Sequence, residues 1–306
     1  MTARTPRGAA RRDGRTPDAI AIGDLYVTRE AAADWRRSPR HSAELVSQSI
    51  LGEVVRALRK REDWIFVEAL NGYRGWVRSW ALASLAAEPD AARFLEGPHA
   101  RVTAAYAPLL AAPSARARRI CEAGFLARLP YLGQRGAYFC VLLPGRGPAW
   151  VARAAAELPR RTARAIPPAR LIAMSARLAG APYVWGGTSS RGYDCSGLVM
   201  RLFEWAGVQL PRDARDQASR GYDFAKPSLA APGDLLFFGA RGRAVSHVAI
   251  ALGGGSILHA SRSSVRIESL RERADLPRIF RGGQRYPAPP SSSSRTRDRA
   301  LRGRAS

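Results

Sequence analysis

The sequence predicts an α+β protein in which two small all-β barrels precede a mixed unit of helices and strands. Three observations carry this. From about Ser42 to Leu85, short strand-like runs alternate with turns and show no helical period. A weaker echo of the same pattern lies between about Arg101 and Ala155, and each segment closes on a Trp-Val pair, Trp76-Val77 and Trp150-Val151, as an internal repeat would. From about Ala169 the pattern switches to amphipathic helical stretches followed by strands. With 306 residues, 46% hydrophobic and 24% charged, the chain is long enough for two or three small domains, which excludes a disordered or fibrous protein.

Residues 1–20 form a basic segment too poor in large apolar side chains to offset the entropy of ordering it, and 285–306 form a tail of the same kind. The first barrel is expected within 21–90. Ser47–Leu58 and Trp64–Ala69 read as strand-forming runs, and Asn71-Gly72 is a hairpin turn leading into Gly75-Trp76-Val77. The second is expected within 97–158, from Phe125–Leu129, Gly136–Leu143 and Gly147–Ala152. The two segments resemble tandem bacterial SH3-like domains, targeting modules often fused to cell-wall hydrolases. An Arg, Ala and Pro stretch, 159–168, reads as a linker, and the third unit occupies 169–284.

Within that unit, Leu171–Leu178 has helical spacing and stops at Gly180, with Pro182 beyond. A loop containing Trp185-Gly186-Gly187 leads to Asp194-Cys195-Ser196-Gly197. Leu198, Val199, Leu202, Phe203 and Ala206 then mark one face of a second helix. Cys195 therefore falls at a helix start, where free N–H groups and the helix dipole are expected to lower a thiol pKa. Leu235–Phe238, Ala244–Leu252 and Ser256–Ala260 read as strands, the last two joined through Gly253-Gly254-Gly255. Such a hairpin sets His247 and His259 opposite or diagonal to one another, so His247 can face the thiol as base while His259 holds its far nitrogen. A zinc site from the same three residues is the rival reading, but no Cys-x-x-Cys pair or helical His spacing accompanies them, and neither metal nor cofactor is expected. Cys140 reads as a small core residue, and its pairing with Cys121 is left open.

From about Ala169 to Gly283 the chain resembles the NlpC/p60-type family of bacterial cell-wall cysteine peptidases. The matching residues are Pro182–Gly187, Asp194–Val199, Leu210–Asp213, Pro232–Leu235, His247–Ile250 and His259-Ala260. The resemblance implies a papain-like fold, amide hydrolysis through a thioester, and a nucleophile, base and third polar residue at Cys195, His247 and His259. It also implies an oxyanion-site role for Tyr183. Two SH3-like modules ahead of such a domain resemble the γ-D-glutamyl-L-diamino acid endopeptidases, which act on short peptides with a free N-terminal L-alanine. There the residues flanking the nucleophile, with an acid and a tyrosine from the first barrel, help bind the terminal amine. Asp194 and Ser196 match the flanking pair, Glu53 and Tyr73 are the barrel candidates, and Ala214 stands where some members place a serine.

The expected partners are peptidoglycan stem peptides or muropeptides, acted on by a monomer. The formal charge of +24, almost all arginine beside Lys60 and Lys226, favours anionic partners of any kind. It would suit nucleic acid too, but no aromatic-and-basic recognition module appears. A silent envelope-binding protein and an amidase or acyltransferase on the same core are the competing functions. No apolar run reaches the ~18 residues of a membrane span, and no secretory signal is recognisable, so a cytoplasmic or independently exported protein is expected.

Overall fold

The computed structural model describes residues 25–159, 167–273 and 275–285; the basic segment expected at 1–20, linker residues 160–166 and the tail from 286 lie outside the described residues. The first sheet is built from β1 (Leu25–Thr28), β2 (Ala32–Arg36), β3 (Leu45–Ile50), β4 (Val54–Arg61), β5 (Trp64–Glu68), β6 (Arg74–Arg78) and β7 (Leu82–Ser84). A short helix, α1 (Ala91–Leu95), leads to β8 (His99–Val102), β9 (Tyr106–Leu110), β10 (Arg119–Gly124), β11 (Arg128–Arg135), β12 (Tyr138–Leu143), β13 (Gly147–Ala152) and β14 (Ala156–Glu157). The spatial orders, β3-β2-β6-β5-β4-β1-β7 and β10-β9-β13-β12-β11-β8-β14, are the same order shifted by seven strands, and Trp76-Val77 and Trp150-Val151 sit on the equivalent β6 and β13. The repeat glimpsed in sequence is thus a repeat of topology. Each sheet closes over its own core, Trp35, Ile65 and Val77 in one and Leu109, Leu129 and Val141 in the other.

The remaining elements are α2 (Pro168–Ala176), a β15 (Thr188–Ser189) and β16 (Gly192–Tyr193) hairpin, α3 (Cys195–Trp205), α4 (Ala214–Gln217), and a five-stranded antiparallel sheet. Its strands are β17 (Leu235–Phe238), β18 (His247–Gly253), β19 (Ser256–Ser261), β20 (Ser264–Ser269) and β21 (Phe280–Gln284), in the order β20-β19-β18-β17-β21. α3 packs on β18 and β19. Its stripe Leu198, Val199, Leu202 and Phe203 is fully buried, each side chain contributing about 1.5–3 kcal/mol. Ile50 from the first sheet and Phe125 and Leu126, which turn between β10 and β11 rather than forming the strand their pattern suggested, join that core, so both barrels dock on the mixed unit.

Cys121 and Cys140 are free thiols, and Cys140 is only half-buried on β12, not the core residue its apolar neighbours suggested. Among the described residues no helix is long and apolar enough to cross a membrane, and no group of three or more His, Cys, Asp or Glu side chains is placed to hold a metal ion.

Candidate active site

Asp194 is extended and its carboxylate accepts the Gly197 N–H at 2.7 Å, which caps α3 and makes Cys195 its first residue. Two of the glycines around this turn show why no side chain fits there. A Cβ on Gly197 would meet the Gly187 carbonyl oxygen at 2.2 Å. One on Gly186, at φ +76°, would meet the Leu45 carbonyl oxygen at 2.2 Å, so β3 of the first barrel closes directly onto the loop before the cysteine.

The Cys195 thiol is buried, with Sγ 4.0 Å from the carbonyl oxygen of Ser246, the residue before His247 and the start of β18. Burial pushes it up to about 11 and Asp194 adds to the rise, against weaker pulls from the Val248 and Ser196 N–H groups and Arg212. Burial likewise pushes His247 down to about 3, helped by His259 and Arg273. Both shifts favour a neutral thiol beside a neutral imidazole. This corrects the expectation of a thiol lowered by the helix: burial outweighs the dipole and favours the neutral thiol.

Ile250 pairs with Leu258 across β18 and β19, which sets His247 and His259 diagonally on one face. His247 Nε2 lies 2.9 Å from His259 Nδ1, the rings meeting edge-on at 72°. His259 is fully buried, and its Nε2 lies 3.0 Å from Glu268 Oε2 on β20. Sequence reading missed Glu268; its parity with His259 across a β19–β20 hairpin was the available signal.

Tyr183 lies close enough to Cys195 and Asp194 for both, after burial, to raise its phenol to about 12. Its backbone N–H donates to the Ser263 carbonyl at 2.8 Å, so only the hydroxyl is left to serve an oxyanion.

Asp194 and Ser196 do not present open groups. Both Asp194 oxygens are taken by Arg212 (Nη2 at 2.6 Å, Nη1 at 3.1 Å), the Gly186 and Gly197 N–H groups and the Ser196 hydroxyl, all in the interior. A substrate amine that met either residue, as expected from sequence, would share it with Arg212.

Glu53 is also placed elsewhere. Its Oε2 accepts from buried Arg201 at 2.8 Å and from the Ile50 N–H at 3.1 Å, tying the first barrel to the middle of α3. Glu44, which sequence reading missed, accepts the Trp185 Nε1–H at 2.9 Å and pairs with Arg37 at 2.6 Å. Trp185 is 64% exposed, so this contact lies at the rim of the site. Tyr73 reaches the same region: its phenol feels Asp213, Arg212, Arg37 and Asp194, and burial raises its pKa. Burial also raises the Asp213 carboxyl. No local motif marks Glu44, which ends the irregular stretch between β2 and β3 and is brought to the rim by docking of the barrel.

Residues 180–282 match the NlpC/P60 family and residues 35–82 match the bacterial dipeptidyl-peptidase Sh3 domain. The chain is 30% identical over 265 residues to a γ-D-glutamyl-L-lysine dipeptidyl-peptidase of Bacillus cereus, covering 82% of this chain and 78% of that protein. It is 29% identical over 241 residues to the protein of the same name from Bacillus subtilis, covering 73% of this chain and 75% of the relative. A crystal structure of an NlpC/P60 family protein from Bacillus cereus superimposes with a TM-score of 0.77 at 25% identity, covering 86% of this chain and 99% of that one. A similarity that runs through both the barrels and the cysteine-bearing unit places this chain in the NlpC/P60 family, as a cysteine-type peptidase with SH3-like domains at its amino-terminal side.

Proposed function

We propose that the protein hydrolyses the γ-D-glutamyl-diamino acid amide bond of peptidoglycan stem peptides with a free N-terminal L-alanine, through a thioester on Cys195. The observation that carries this is the closing of the first barrel onto the loop before the cysteine: Glu44 bonds Trp185 at the rim, and Tyr73 of the same barrel lies within electrostatic reach of Asp213 and Asp194, where an ammonium group needs acidic and hydroxyl partners in place of water. The names of the two Bacillus relatives support the same bond.

With Nε2 of His247 turned to His259, its Nδ1 is the nitrogen left to take the Sγ proton as sulfur attacks the carbonyl carbon. The N–H of Cys195, at the unpaired start of α3, and the Tyr183 hydroxyl hold the tetrahedral oxyanion. His247, now protonated, gives that proton to the leaving amine of the diamino acid. A water deprotonated by the same ring then cleaves the thioester and releases L-Ala-γ-D-Glu.

Mass spectrometry of products from L-Ala-γ-D-Glu-L-Lys, its diaminopimelate counterpart and the N-acetylated forms tests the reading. The free-amine peptides should give L-Ala-γ-D-Glu and the acetylated ones should resist. Equal cleavage of acetylated peptide would remove the amine subsite, and no cleavage of any of them would remove the substrate class.

A further inference from the structure

We infer that Glu268 is a positioning residue of the cysteine–histidine row: it sets the tautomer of His259, and through His259 that of His247, so that the base meets the thiol with a lone pair on Nδ1. The inference rests on the reading of Cys195 and His247 as nucleophile and base.

The sheet register puts the three side chains in line. His259 on β19 pairs with Arg266 on β20, and Ile257 pairs with Glu268, so Glu268 is the diagonal neighbour of His259, as His259 is of His247 on the adjoining strand. Three adjacent strands thus each place one polar side chain on the same face. Glu268 Oε2 lies 3.0 Å from His259 Nε2. Arg266 donates to Oε1 at 3.0 Å and Arg273 to Oε2 at 2.5 Å. Two guanidinium groups and the ring hold the carboxyl anionic, down to about 2 despite the cost of its burial. An ionised carboxylate only accepts, so His259 Nε2 must carry hydrogen.

Burial keeps His259 neutral against the opposing pull of Glu268, which leaves its Nδ1 as an acceptor. His247 must then donate from Nε2 to His259 at 2.9 Å, and Nδ1 is free to take the thiol proton. Were Glu268 absent, either nitrogen of His259 could hold the hydrogen. In the flipped form His259 Nδ1–H donates, His247 Nε2 accepts, and the His247 hydrogen moves to Nδ1, where it blocks the proton transfer. The charges facing the pair are Glu268, Arg266, Arg273 and Asp275, the last paired with Arg273 at 2.7 Å, so the cluster sums to zero and Glu268 acts chiefly through orientation.

Two measurements test this. Nitrogen-15 imidazole spectra of the Cys195→Ala protein read the tautomers with Glu268 intact and without any need for turnover. The Nε2–H form is expected on both rings, and an Nδ1–H form on either would overturn the inference. In the active enzyme, Glu268→Gln should lower kcat on L-Ala-γ-D-Glu-L-Lys about 10- to 100-fold with KM within about threefold. It should also move the acid limb of kcat/KM to lower pH, because two arginines then face one remaining carboxylate. Loss of activity that only follows loss of folded protein, with limb and tautomers unchanged, would overturn it. Failure of wild-type protein to cut the peptide would strike the functional reading and leave the spectra to judge Glu268.

Discussion

Replacing Glu53 by Gln separates a substrate-binding carboxylate from one that joins two domains. Arg201 is 3% exposed and donates to Glu53 (2.8 Å), Glu204 (2.8 Å), the Thr188 carbonyl (2.9 Å) and the Gln48 carbonyl (3.2 Å). Burial alone would pull its pKa down, but Glu53 and Glu204 more than offset this and hold the charge. Removing one partner of a fully buried pair costs about 3–5 kcal/mol. Here the Glu53 side chain keeps 23% of its exposure, Glu204 remains, and glutamine can still accept a hydrogen bond, which reduces the expected cost to about 1–3 kcal/mol. At about 2–4 °C per kcal/mol, calorimetry should find Tm lower by about 2–12 °C. At a temperature where the variant is folded, kcat/KM for L-Ala-γ-D-Glu-L-Lys should stay within about twofold of wild type. An unchanged Tm together with a severalfold rise in KM would refute the interdomain assignment and return Glu53 to the substrate.

The converse pattern is expected at the rim, where Glu44→Gln and Tyr73→Phe should raise KM for the free-amine peptide about tenfold while moving Tm by less than about 2 °C, read by steady-state kinetics and thermal melts. Tyr183→Phe removes an oxyanion donor and should lower kcat by about 100-fold at nearly constant KM. Because burial lowers the pKa of His247, the base stays unprotonated as pH falls through the ordinary imidazole range. The acid limb of kcat/KM should therefore lie below the ordinary imidazole value of about 6.5, which a pH–rate profile in non-interacting buffers checks. Gly186→Ala brings a Cβ within 2.2 Å of the Leu45 carbonyl oxygen at a φ of +76°, so the barrel must draw back from the loop. Urea unfolding should show a loss of more than about 1 kcal/mol.

Local pattern made much of the site legible before any coordinates. The period of Leu198, Val199, Leu202 and Phe203 marks α3, and Asp194 marks its start. The glycine run after Leu252 marks the turn that sets His247 and His259 on one face. Those features depend on residues close in sequence. Others depend on docking, which a single sequence does not encode in any short motif. Glu44 and Glu53 are both acids flanking β3, and only the seating of the first barrel sends one to Trp185 and the other to Arg201. Asp194 carries a capping signature, yet its other partner, Arg212, comes from a separate loop and fills the carboxylate. A helix start is visible at Cys195, but the burial that overrides its dipole arises from residues of β18 packed against it.

In the proposed reaction the Cys195 sulfur is the acyl acceptor. Rapid acid quench of wild-type protein mixed with L-Ala-γ-D-Glu-L-Lys, followed by intact-mass and peptide mass analysis, measures this directly. An L-Ala-γ-D-Glu adduct on the peptide containing Cys195 is expected, with both adduct and turnover lost in Cys195→Ala. Wild-type turnover in that variant, or an adduct carried by Cys121 or Cys140 instead, would contradict it.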